Sequence, residues 1–183
     1  LTHNNRTVTM NGSSAQTIGG AFNTIFFNLT IDNSAGVTLS QWETVRGLLT
    51  LNNGDLNLSS QVMYLATTGG GISVSGARSI NGPGTFFFQG AKTISGGTLT
   101  FGSGVNVYLD SSVNFGSSVS TINGGLLIFS GGSVDTNPPS YGPASYIDYR
   151  CGCVYPRGPE WGTAPSGPGH PHNISLTRSL IPL

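Results

Sequence analysis

Charge is what this sequence has least of. Its 183 residues hold seven Lys+Arg and seven Asp+Glu, 8% in all, and a formal net charge of +0; a typical soluble domain carries about 25% charged residues. Lys92 is the only lysine. Without a basic surplus there is little to neutralise phosphates, which argues against a nucleic-acid partner. Long apolar runs are also missing. No stretch approaches the roughly 20 residues of a membrane helix, so no membrane insertion is expected. Before residue 135 there is one proline, Pro83. No segment has a helical period. There is no G-x-S-x-G elbow and no P-loop, and Gly69-Gly70-Gly71-Ile72-Ser73 lacks the Asp of a calcium-binding G-G-x-G-x-D repeat. No cofactor is expected.

Glycine, serine, threonine and asparagine fill the space that charge leaves, and together they make up close to half of the chain. The 37% hydrophobic content is placed with a period of two, which argues against disorder. Asn28-Leu29-Thr30-Ile31, Gly36-Val37-Thr38-Leu39, Asp55-Leu56-Asn57-Leu58 and Val105-Asn106-Val107-Tyr108-Leu109 are examples. Turn signals such as Asn53-Gly54, Asn81-Gly82 and Asn123-Gly124 separate them. A Thr/Ser-Ile-x-Gly step recurs with Ile18, Ile80, Ile94 and Ile122, at spacings of 62, 14 and 28. The pattern predicts an all-β, right-handed parallel β-solenoid (β-helix) of short strands with roughly 20–25 residues per coil. Gly and Asn would sit at its corners and Ser and Thr on its surface. Asn-Gly also marks the hairpins of an antiparallel sandwich; the repeated Ile steps favour the solenoid. Threonine shows no fixed period of the kind a flat, ice-binding Thr ladder would need.

Composition changes near residue 135, where proline becomes frequent. The expected organisation is solenoid coils over 1–134, a Pro/Gly/aromatic-rich loop or cap over 135–172, and the possible start of a further coil over 173–183. Asn173-Ile174-Ser175-Leu176 alternates like a strand, and the sequence opens on Leu1 without a signal peptide. Both features are read as those of a fragment or a processed product. Cys151 and Cys153 form a C-x-C pair, either a disulfide or reactive thiols. His170 and His172 would be needed to complete a zinc site, and their spacing is not a finger's, so no metal is expected.

No residue declares itself catalytic. A polysaccharide lyase or hydrolase needs clustered carboxylates. Asp32 and Asp55 are separated by about one coil and could stack, but both sit in Asn-rich turns. With Glu160 they are the acid/base candidates of an enzyme reading. Glu160 also has a bland reading, a surface pair with Arg157. Trp42, Tyr64, Tyr155 and Trp161 are the candidates for stacking on glycans. The alternative is that the C-terminal aromatics plug a loop onto the solenoid, where the loop could cap an open end.

Thr7-Val8-Thr9-Met10-Asn11-Gly12-Ser13, Phe27-Asn28-Leu29-Thr30-Ile31-Asp32-Asn33-Ser34-Ala35-Gly36-Val37-Thr38-Leu39 and Leu48-Leu49-Thr50-Leu51-Asn52-Asn53-Gly54-Asp55-Leu56 resemble coils of secreted Bacteroidetes-type bacterial surface repeat proteins. In that group Tyr141-Gly142-Pro143-Ala144-Ser145 and Arg157-Gly158-Pro159-Glu160-Trp161 look like a segment between coils. The resemblance implies an extracellular, cell-surface location and an adhesin-like or spacer role, normally with a C-terminal sorting domain. The expectation is a non-enzymatic structural or adhesive segment of a secreted surface or filament protein. It would associate with itself, with other surface proteins or with glycans. A carbohydrate-binding module or a polysaccharide-active β-helix enzyme is the alternative.

Overall fold

A computed structural model of the chain describes residues 5–151, 157–162 and 166–177. It is an all-β stack of about seven coils with parallel ladders, a β-solenoid. The first coil is β1 (Thr7–Met10), β2 (Gln16–Ile18) and β3 (Ile25–Phe26). The second is β4 (Asn28–Asp32), β5 (Val37–Leu39) and β6 (Glu43–Val45), and the third β7 (Leu49–Asn53), β8 (Leu56–Asn57) and β9 (Val62–Leu65). In the fourth and fifth, one long strand turns the first corner: β10 (Ile72–Asn81) is followed by β11 (Gly84–Phe88), and β12 (Lys92–Phe101) by β13 (Val105–Leu109). The sixth is β14 (Ser112–Asn114), β15 (Thr121–Ile122) and β16 (Gly125–Phe129). The seventh is β17 (Ser133–Val134), β18 (Ser140–Tyr141) and β19 (Tyr146–Arg150), and β20 (Asn173–Leu176) lies beyond it.

These strands make three faces. Face 1 runs β1-β4-β7-β10-β12-β14-β17, and face 2 runs β2-β5-β8, the second halves of β10 and β12, then β15-β18. Face 3 runs β3-β6-β9-β11-β13-β16-β19-β20. Alternate residues point inward and stack in columns. On face 2, Val37, Leu56, Ile80, Phe101, Ile122 and Tyr141 are successive partners. On face 3, Met63, Phe86, Val107, Leu126 and Ile147 are successive partners. A single apolar core from Ile18 to Tyr149 results. Each ladder bond adds one coil at about 4.8 Å.

The step between partners is uneven. In this column it is shortest from Val37 to Leu56 and from Ile122 to Tyr141, longest from Leu56 to Ile80, and intermediate from Phe101 to Ile122. Corners absorb the difference. At one of them Gly54 has φ +100, and a Cβ there would run into the carbonyl of Asn33 on the coil below. Asn33 itself is buried, donating to Ser14 O (2.8 Å) and Gln16 Oε1 (2.9 Å) and accepting from Ala35 N (2.9 Å).

The variable step revises the repeat read from sequence. Ile80 and Ile122 share a column through Phe101. Ile18 lies on the same face in another column, against Leu39, and Ile94 lies on face 1, against Ile72. The short spacing from Ile80 to Ile94 is therefore not a structural period. The same variation hid a hydroxyl rank: Thr9, Thr30, Thr50, Ser73 and Ser95 are successive outward partners on face 1. Ser79, Thr100, Thr121 and Ser140 form another on face 2. Ladder pairing also crosses the change of composition near residue 135, since β18 stacks on β15 and β19 on β16; β20 then stacks on β19.

Phe101 is fully buried, 5.6 Å from the ring of Phe86 and 6.3 Å from that of Phe88. Phe101→Ala is expected to cost about 3–5 kcal/mol. Thr100→Ala, one residue away and facing out, should stay within about 0.5 kcal/mol. Urea unfolding of the two variants checks the inward and outward assignment.

Candidate functional site

Outward positions on faces 1 and 2 are mostly Thr, Ser and Asn. Face 3 differs. Tyr64, Phe87, Tyr108 and Leu127 are successive outward partners on β9, β11, β13 and β16, and Phe129 lies just beyond Leu127 on β16. Trp42 precedes β6 at the lower end. Ring centroids lie 6.0 Å apart for Trp42–Tyr64, edge to face at 83°, and 5.7 Å for Tyr64–Phe87 at 28°. They lie 5.5 Å apart for Phe87–Tyr108 at 27° and 5.2 Å for Tyr108–Phe129 at 25°. Parallel rings in full contact would be closer, since carbon atoms touch at about 3.5–4.0 Å. Tyr64, Phe87 and Tyr108 are therefore slipped like roof tiles, while Phe129 leans back to 6.2 Å from Phe87 at 19°; each of the four rings is half-buried. Trp42 is 45% exposed.

Hydrogen bonds and one ion pair frame the upper end of this stripe. Tyr146 donates to Asn106 Oδ1 (2.9 Å), and burial pushes its hydroxyl up. Arg150 lies 5.9 Å from the ring centroid of Tyr108, while its Nε donates to Asp148 Oδ2 at 2.6 Å. Burial pushes Asp148 up, but its hydrogen bonds with Arg150 and Thr177 outweigh this and hold it below the usual carboxylate value.

Of the aromatics singled out from sequence, the structure brings Trp42 and Tyr64 together. Trp161 is in a short 3-10 turn (Pro159–Trp161) that follows the seventh coil, far along the stack from Trp42 in the second. Tyr155 and Cys153 lie outside the described residues. Cys151 is buried and disulfide-bonded. Phe87, Tyr108 and Phe129 were missed. The signal was there, an aromatic once per coil at positions 64, 87, 108 and 129, but it has to be sought a whole coil at a time.

The carboxylates resolve into turn groups and core groups. Asp32 Oδ1 accepts from Asn52 Nδ2 (3.0 Å) and Asp55 Oδ1 from Ser79 N (2.8 Å). Asp32 pairs with Asn53, so the two aspartates do not stack. Glu43 occupies the column of Met63 and Phe86 and is 0% exposed. Its Oε2 accepts from Thr24 N (2.5 Å), and Oε1 is buried without a hydrogen bond. Burial raises its carboxyl above the usual 4.5, with the Thr24 bonds opposing.

Glu160 corrects the expected surface pair. It is 0% exposed and covers the last coil: Oε1 accepts from Tyr149 Oη (2.9 Å) and Gly158 N (3.1 Å), and its carbonyl accepts from Tyr141 Oη (3.1 Å). Oε2 is buried and unpaired. Burial, then the charge of Glu160, pushes the Tyr141 hydroxyl well up. Arg157 instead lies 5.7 Å from the ring centroid of Trp161. Lys92 is also inside, with Nζ 3.5 Å from Thr67 O and 3.4 Å from Ala91 O. Burial lowers its ammonium, with Asp110 opposing. It lines a groove of about 300 Å³ floored by Gly69, Gly70 and Gly71.

Among the described residues no group of three His, Cys, Asp or Glu is placed to hold a metal, and no helix is long and apolar enough to cross a membrane. No protein-family model, curated protein or solved structure matches the chain.

Two results are expected. Between the ordinary carboxyl value of 4.5 and the raised native value, native Glu43 keeps a proton that the unfolded chain has released. Its stabilising contribution is thus present below that window and is lost as pH rises through it. Glu43→Gln should flatten this fall in stability, as read from urea midpoints across pH. Tyr149→Phe removes a donor to a buried carboxylate and should cost about 1–3 kcal/mol in the same assay.

Proposed function

We propose that the chain is a non-enzymatic structural and adhesive segment of a secreted cell-surface or extracellular filament protein. The observation that supports this most is the alignment of outward side chains into straight ranks. Hydroxyl ranks run along faces 1 and 2 and an aromatic stripe along face 3. Stacked coils make length a simple product of coil number. A nearly uncharged face has few ions to strip of water when it meets a surface, a glycan or another copy. The extracellular setting rests on composition and on the resemblance to secreted Bacteroidetes-type surface proteins.

The stripe also favours a second reading, a carbohydrate-binding module. A polysaccharide-active enzyme has weaker support. Asp32 and Asp55 belong to turns, and Glu43 and Glu160 are buried toward opposite ends of the core.

Beads coated with the full chain are expected to be retained on bacterial or matrix surfaces, and electron microscopy should show side-by-side or end-to-end assemblies. Dispersed monomers together with no retention on any surface would overturn the proposal.

A further inference from the structure

We infer that the aromatic stripe of face 3 binds a single chain of neutral polysaccharide laid along the solenoid axis, about one sugar unit per coil. This rests on the adhesive reading and names its ligand. Three observations carry it.

The first is ring placement. Trp42, Tyr64, Phe87, Tyr108 and Phe129 come from the second to the sixth coil, one ring from each. Slipped rings at 5.2–5.7 Å leave part of each face uncovered, and the polarised C–H bonds of a pyranose pack on such faces. From Trp42 to Tyr108 the row is one ring wide and advances one coil at a time; Phe129 leans back beside it, 6.2 Å from the ring centroid of Phe87. That shape suits a linear polymer of ring-sized units.

The second is the company the rings keep. Thr85 and Asn106 are successive outward partners beside Phe87 and Tyr108. Gln89 lies just beyond Phe87 on the other side. Thr85, Gln89 and the amide nitrogen of Asn106, whose oxygen is taken by Tyr146, are neutral groups at the height of the rings, suited to the equatorial hydroxyls of a sugar.

The third is charge. The rank of Thr44, Tyr64, Phe87 and Tyr108 carries none, Leu127 beyond it is buried, and exposed Arg46 lies outside the rank at its lower end. Arg150 at its upper end is paired with Asp148. An acidic polysaccharide finds no unpaired cation in that rank, whereas a neutral one needs none.

The test uses the full chain with insoluble β-1,4-glucan and chitin, with cross-linked polygalacturonate as the acidic comparison, and with soluble neutral oligosaccharides of increasing length. Retention is expected on a neutral polymer and not on polygalacturonate. Affinity should rise with oligosaccharide length up to about four units and then level off. Phe87→Thr with Tyr108→Thr, using the residue type common at outward positions, should weaken binding roughly tenfold or more. Thr50→Ala on face 1 should leave it unchanged. If the double variant does not fold, Trp42→Ala at the exposed end should shorten the plateau by about one unit.

Unchanged binding in folded Phe87→Thr/Tyr108→Thr overturns the inference. So does failure of the native chain to bind any neutral polymer; retention on cells in that case leaves the adhesive reading standing. Self-association that the double variant abolishes, without glycan binding, would assign the stripe to a second copy instead.

Discussion

Everything in this molecule depends on one coil landing in register on the next. Because side chains alternate, a slip of one residue would turn a whole inward set to solvent. The columns prevent it: Leu29, Leu49, Ile72 and Ile94 on face 1 and Phe26, Val45 and Leu65 on face 3 each meet an apolar partner above or below. Once inward residues are aligned, outward residues are aligned as well, with no further cause. The hydroxyl ranks and the aromatic stripe are by-products of a constraint that acts inside.

The same constraint makes the two ends of the core its difficult places, because a column needs a neighbour at each step. Polar groups appear there. Glu43 enters a column in the second coil and is held from below by Thr24 N. Glu160 crosses the top of the seventh coil, where the face 2 column ends in Tyr141, and the hydroxyls of Tyr141 and Tyr149 both reach it. Each glutamate leaves one oxygen buried and unbonded, an arrangement that costs stability.

Alternation was legible because it is local. A stretch such as Val105 to Val113 shows which side chains face in without reference to any other coil. Lateral neighbours were not legible, because corners of differing length separate sequence distance from spatial distance. Ile94 thus looks like Ile80 in sequence though it lies on another face, Thr30 and Ser73 do not look like one rank, and Tyr64 gives no sign of Phe87 and Tyr108 beside it. The burial of Glu160 is hidden for another reason. Arg157 stands close before it in sequence, and nothing local announces that Tyr149 and Tyr141 wait above an open core. The change in proline content near 135 was equally local, and the ladders from β15 to β18 and β16 to β19 run across it.

Corners that accept steps of unequal length separate two kinds of change. Adding or removing a residue at a corner relabels every later position in the chain yet moves none of them to a different face. Each residue thus has an address of face and coil that survives such edits, much as a page keeps its lines when its margins are redrawn. Two chains of this design could diverge freely in their spacing and still present the same rows to whatever they touch. Their likeness would be visible to a partner reading the surface and obscure to a comparison that counts along the sequence.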